Sequence, residues 1–229
     1  MNIVIISSVV ANFYYMSLYQ CQKKIKIRWS SNFAYAIGLI TSDGYLSLDK
    51  RHIGLKSIDL ELIKNFKKAF SLKNRIAVDK WKHFHITFGD VIFYKFLNGI
   101  GLTSAKSKII KEIAVPQKYF SDFLRGLFDG DGTFYTFWDK RWPNSFGYQI
   151  AFSSASSSFI NWLKMKLADL YSVKGFIRQG DGVFNLRYVK GDTVRLFSAM
   201  YENKKCFLFL TRKYVKIKDA LKQDGILPK

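Results

Sequence analysis

Two acids, Asp43 and Asp131, stand in the same local setting at an offset of 88 residues. Each precedes a glycine and ends a matching run: Ala36-Ile37-Gly38-Leu39-Ile40-Thr41-Ser42-Asp43-Gly44 first, then Leu124-Arg125-Gly126-Leu127-Phe128-Asp129-Gly130-Asp131-Gly132. The runs agree at Gly38/Gly126, Leu39/Leu127, Asp43/Asp131 and Gly44/Gly132. One Asp-Gly at a helix end is ordinary punctuation. Its recurrence behind the same residues indicates an internal duplication of one αβ module with a carboxylate needed from each copy. Asp129 faces Thr41 in the comparison, so it has no such paired role.

The positioning elements follow from the small residues. Gly38 with Ser42, and Gly126 with Gly130, lie four apart, which on a helix gives one face almost bare of side chains. Two such faces can approach more closely than the usual ~8–10 Å between helix axes. Each helix then stops at its Asp-Gly, with the glycine expected to supply the left-handed turn. Side by side, the helices bring Asp43 and Asp131 together where both helix dipoles are negative, an arrangement that calls for a cation. A hard divalent ion held by carboxylates and phosphate oxygens fits, Mg²⁺ first, with Mn²⁺ or Ca²⁺ able to substitute in binding.

Both runs resemble the LAGLIDADG motif of homing endonucleases, the second closely and the first with Thr41 in place of the first acid. The resemblance spans about Trp29 to Ile217 and is to the single-chain, two-motif members. It implies an α+β fold of two pseudo-symmetric αββαββα halves, a saddle of antiparallel sheets with the motif helices at the interface. It also implies an intron-encoded nuclease whose metals are held by Asp43, Gly44, Asp131 and Gly132. Lys106 and Lys213 each follow a second hairpin and its helix, where the family keeps a catalytic lysine; a phosphate-backbone or surface role is equally open to them.

Composition points to the partner. Thirty-seven Lys and Arg against 17 Asp and Glu give a formal charge of +20 in 229 residues, the footprint of a polyanion binder with salt-dependent affinity. Aromatics at 17% and apolar residues at 48% supply a folded core and exclude a disordered basic tail. Cys21 and Cys206 have neither metal spacing nor a disulfide framework, which suits a reducing, intracellular setting such as cytoplasm, nucleoid or organelle matrix. Residues 1–22 carry no charge, but serines, Asn12, Gln20 and tyrosines dilute them. They read as an extra element packed on the first half rather than a membrane anchor.

In chain order, residues 1–28 form an N-terminal extension, 29–115 a first half and 116–229 a second. Phe33 to Ser42 is the first motif helix, capped by Ser30, Ser31 or Asn32. Leu46 and Leu48, then Ile53 and Leu55, alternate with polar residues around a turn at Asp49-Lys50. An amphipathic helix over 58–72 follows, and then a second hairpin with Ile76, Val78, Phe84, Ile86 and Phe88 inward. The second copy repeats this order, with a polar loop expected from Asp139 to Gly147, a helix capped by Ser156 or Ser157, a hairpin around Gly180-Asp181-Gly182, a helix from Thr193 to Tyr201 and a basic helix from about Thr211.

The outward positions of these strands are the candidate DNA-reading face: Ser47, His52, Lys56, Arg75, His83 and His85 in the first half, Tyr135, Gln149, Ser153, Arg178, Asn185 and Arg187 in the second. Their side chains match base-edge donors and acceptors in a major groove wide enough for a β-ribbon. The histidines have no ligand-spaced carboxylates and read as face contacts. Because the halves differ, the expected target is long and asymmetric. The sequence therefore reads as a Mg²⁺-dependent double-strand DNA endonuclease, a monomer with no membrane partner. The alternative is an intron RNA maturase or a non-cleaving DNA-binding protein on the same scaffold.

Overall fold

The computed structural model describes residues 24–140, 142–202 and 208–227. The segment 1–22 and Cys206 lie outside the described residues. The elements are α1 (Ser31–Ser42), β1 (Gly44–Leu46), β2 (His52–Ser57), α2 (Leu60–Ala69), β3 (Ala77–Val78), β4 (Phe84–Gly89), α3 (Val91–Gly99), α4 (Phe120–Asp131), β5 (Thr133–Asp139), β6 (Trp142–Ser154), α5 (Ser157–Tyr171), β7 (Phe176–Gly180), β8 (Val183–Val189), α6 (Lys190–Tyr201) and α7 (Thr211–Gln223). The strands form two antiparallel four-stranded sheets ordered β1-β2-β4-β3 and β5-β6-β8-β7. Identical order in the two sheets makes this an α+β fold of two pseudo-symmetric halves.

The halves meet along α1 and α4, the two motif helices, which share the largest contact between any two elements. Glycine makes this possible. A Cβ on Gly38 would stand 2.2 Å from the Phe123 carbonyl oxygen, one on Gly126 2.0 Å from that of Tyr35, and one on Gly130 1.9 Å from Ser42 Oγ. The remaining faces of α1 and α4 bury Phe33, Ile37 and Ile40, and Phe120, Phe123 and Phe128, into the two cores. Inward strand residues complete them: Ile53, Leu55, Ile86 and Phe88 in the first half, Ile150, Phe152, Leu186 and Tyr188 in the second. Aromatic edges interlock there, as between Phe66 and Phe88 and between Phe128 and Phe152.

Caps form where side-chain oxygens meet free helix N–H groups: Ser30 accepts from Phe33 N, Asp90 from Phe93 N and Ser156 from Phe159 N. Several expectations change. Neither Gly44 nor Gly132 has a positive φ, and Gly132 is extended at φ −70°, ψ 146°. Glycine is needed there for space, because a Cβ would come within 2.5 Å of Ile40 Cα or 2.4 Å of the Phe128 carbonyl oxygen. Most of the loop expected from Asp139 to Gly147 is strand instead: β5 runs to Asp139, β6 begins at Trp142, and Trp138 pairs with Phe146. Aromatic cross-strand contact outweighs the polar composition of that tip. Leu48 and Val78 are 83% and 56% exposed rather than inward, since β1 ends at Leu46 and β3 is only two residues long.

Replacing Gly126 with Ala forces α1 and α4 apart and should cost at least the upper end of the ~1–3 kcal/mol typical of overpacking. Gly191→Ala, where a Cβ meets nothing within 4 Å, should be neutral or stabilising. Urea denaturation of both variants measures the difference.

Candidate metal centre and nucleic-acid interface

Packing α1 against α4 sets the chemistry at their ends. Asp43 is the C-cap of α1 and Asp131 the last residue of α4. Gly130 lies against Asp43 across the seam, and the space its absent Cβ would fill is 3.0 Å from Asp43 Oδ2. Among the described residues, neither carboxylate receives a hydrogen bond. Burial, and next the charge of Asp131, push Asp43 up to about 6. Asp131 keeps solvent access, yet the protein atoms crowded around it raise its pKa as well, against the pull of Lys106 and Lys213.

Both expected lysines reach this point, and both are nearly buried. Burial lowers each to about 8, with the carboxylates opposing the shift. Their bonding differs. Lys106, in the irregular link after α3, donates to the Ser42 carbonyl at 3.1 Å. It lines a cavity of about 80 Å³ with Thr41, Ser42, Ser107, Asp131 and Ser153. Lys213, in the first turn of α7, donates to the carbonyls of Phe128 (2.7 Å), Asp129 (2.8 Å), Gly130 (2.8 Å) and Gly132 (2.6 Å). It therefore caps the end of α4, meeting the helix dipole with a positive charge.

Asp129 does a different job. It is buried, and its carboxylate accepts from Tyr35 Oη at 2.8 Å and Leu210 N at 2.7 Å, tying α1 to the segment before α7. Burial first of all lifts it to about 6. Beside it Arg125 is fully buried, donating to Leu208 O, Met200 O and Asp122 Oδ1. Sequence reading left these residues without a task. Two charged residues inside the apolar run of α4 were the available signal. Arg212 bonding Asp59 at 2.6 Å and Asn65 bonding the Phe209 carbonyl at 2.8 Å also join the halves.

A hard divalent cation fits the centre. Two carboxylates without hydrogen-bond donors stand together, and the negative ends of two helices meet there. Asp43 and Asp131 would hold it, with Gly44 following Asp43 at the start of β1. The Gly132 carbonyl, expected alongside them, is engaged by Lys213. No cluster of three or more His, Cys, Asp or Glu capable of holding a metal occurs among the described residues.

The expected reading face is a row system opposite the helices. In the first sheet Lys56 lies beside His85, which pairs with Ala77, and His52 begins β2. Arg75 precedes β3 and His83 precedes β4, while Ser47 sits in the β1–β2 turn. The histidines do have carboxylate partners: His52 Nδ1 bonds Asp49, and His83 Nδ1 lies 3.2 Å from Asp79, which also pairs with Lys56 at 2.7 Å. Tyr45 joins this face, its hydroxyl 2.6 Å from Thr87 Oγ1. In the second sheet Tyr135, Gln149, Ser153, Arg178, Asn185 and Arg187 are contiguous.

With this geometry, comparison with solved structures shows the fold to be that of LAGLIDADG proteins. The chain is 12% identical to the meganuclease I-AabMI bound to uncleaved DNA, covering 85% of this chain and 90% of that one, with a TM-score of 0.61. It is 12% identical to I-SmaMI bound to an uncleaved DNA target in the presence of calcium ions, covering 88% and 95%, with a TM-score of 0.57. Full-length DUF199/WhiA from Thermatoga maritima is 17% identical over 90% of this chain and 66% of its own length, with a TM-score of 0.57. No protein-family model and no curated protein matches the sequence. No helix among the described residues is long and apolar enough to cross a membrane.

Because Asp43 is raised above the usual carboxylate value, its contribution to stability is present below about pH 4 and lost as pH rises through about 6. Without divalent metal, Asp43→Asn should therefore raise Tm at pH 7.5. Mg²⁺ should raise the Tm of the parent more at pH 7.5 than at pH 5, where Asp43 is largely protonated, and should do little in Asp43→Asn or Asp131→Asn. Thermal melts at the two pH values check each sign.

Proposed function

We propose that this chain is a divalent-metal-dependent, site-specific double-strand DNA endonuclease, acting as a monomer on a long asymmetric target. The observation carrying this reading is the pair Asp43 and Asp131, held at the touching ends of two packed helices with Lys106 and Lys213 against them. Asp43 and Asp131 would hold a divalent cation, which when bound would supply positive charge at the scissile phosphate and lower the pKa of the attacking water. Lys106 spends one hydrogen bond on Ser42 and so keeps donors for a phosphate oxygen. Lys213 holds the end of α4, and with it Asp131, in place.

The charge of +20 and the polar outer faces of both sheets support duplex DNA as the partner. Solved relatives of the fold described as bound to DNA support the same partner. A second reading, a sequence-specific binder that does not cut, draws on Lys213, whose ammonium already occupies the Gly132 carbonyl.

Incubating the protein with a randomised duplex library, with and without Mg²⁺, should yield metal-dependent double-strand cuts at one long site. Asp43→Asn and Asp131→Asn should each lose cleavage by at least 100-fold, roughly the scale of losing a principal electrostatic group, while retaining binding. Specific binding with no cleavage under any divalent metal would establish the second reading.

A further inference from the structure

The outer face of the second sheet is unusual in where its hydrogen-bond acceptors go. Strand register sets Tyr135 directly beside Gln149, and Ser153 beside Asn185, which in turn pairs with Arg178. The hydroxyl of Tyr135 donates to Gln149 Oε1, and that of Ser153 donates to Asn185 Oδ1 at 2.8 Å. Each amide thus has its oxygen engaged by its cross-strand neighbour and its NH₂ group left to face a ligand. Between these pairs, Arg187 lies with its guanidinium 5.9 Å from the centre of the Tyr135 ring. Its Nε is buried without a partner, so its terminal nitrogens hold the donors that can reach outward. Arg178 is exposed beside Phe176.

The geometry points to a base preference: this sheet reads a guanine-weighted purine strand in the major groove. The inference rests on the reading that the chain binds duplex DNA. The four long side chains of the face, Gln149, Asn185, Arg178 and Arg187, meet the groove with N–H donors. Guanine offers two acceptors there, N7 and O6, whereas cytosine offers a donor and adenine one acceptor beside a donor. A glutamine recognises adenine by giving a hydrogen bond to N7 while accepting one from N6. Tyr135 occupies one of the two lone pairs of Gln149 Oε1, which weakens that option relative to donation alone. The first sheet differs, because the carboxylates of Asp49 and Asp79 lie on its turns beside His52, Lys56 and His83. Those carboxylates are engaged by these cationic and imidazole side chains, an arrangement with no counterpart on the second sheet, so the two half-sites differ in chemistry as well as in sequence.

The test is selection of duplexes bound by the full chain from a randomised library at fixed salt, in Ca²⁺ to avoid cutting, for the parent, Tyr135→Phe and Arg187→Met. In one half-site the parent should recover a guanine-weighted run on one strand. Tyr135→Phe frees Gln149 Oε1, so adenine should gain at one position of that run by roughly 5- to 100-fold, the range of a bidentate base contact. Arg187→Met should lose guanine preference at one position. A Tm for Tyr135→Phe equal to the parent's, with base preference shifted, separates reading from support of the fold. Bound duplexes without guanine enrichment in either half, or an unchanged preference in Tyr135→Phe, would overturn the inference while leaving DNA binding intact. No duplex recovered by the parent would overturn the DNA reading and the inference with it.

Discussion

Close backbone contact between two glycine-faced helices is the constraint on which the rest of this molecule depends. With Gly38 against the Phe123 carbonyl and Gly126 against that of Tyr35, α1 and α4 lie nearer than helices carrying ordinary side chains can. The seam ties the two halves into one body and fixes where both helices end. It brings two carboxylates, two helix C-termini and two lysines to one place. Like charges that would separate in solution are held together here because the packing of the helices does not allow them to part.

The raised carboxylates and lowered lysines follow from that confinement. Burial opposes both kinds of charge, and the cross-attraction between them offsets only part of the cost. A cation added to a centre in this condition would neutralise the carboxylates. The duplicated plan is not carried through in detail, however. Lys106 meets one carbonyl where Lys213 shares its three donors among four, and Thr41 bonds back to the Ile37 carbonyl where Asp129 straps Tyr35. The second half thus carries more structural hydrogen bonding at the seam than the first.

Much of this was legible along the chain. The motif helices, the order of strands and helices, the short polar clusters from which Ser30 and Ser156 serve as caps and the outward positions of the second sheet all follow from period, spacing and capping chemistry, which act over a few residues. The strand ends were less legible. Leu48 and Val78 fit an alternating pattern, but the strands stop short of them. The tip from Asp139 to Gly147 looked like a loop because its composition is polar, while Trp138 and Phe146 pair across the hairpin. The glycines after Asp43 and Asp131 looked like turn residues and are instead spacers, a distinction that depends on atoms from the preceding helical turn.

What the sequence by itself determined was the duplication, the two-half α+β plan and the pairing of Asp43 with Asp131, because all three rest on repeats and local periodicities. The charge of +20 likewise required no structure to suggest a polyanionic partner. Tertiary structure alone decided how each polar group is spent. Lys213 caps α4, Arg125 is sealed into the core, Asp129 becomes a strap, and the amide oxygens of Gln149 and Asn185 are taken by Tyr135 and Ser153. Hydrogen-bond partners more than a dozen residues apart in the chain are chosen by packing and strand register, and no local pattern encodes them.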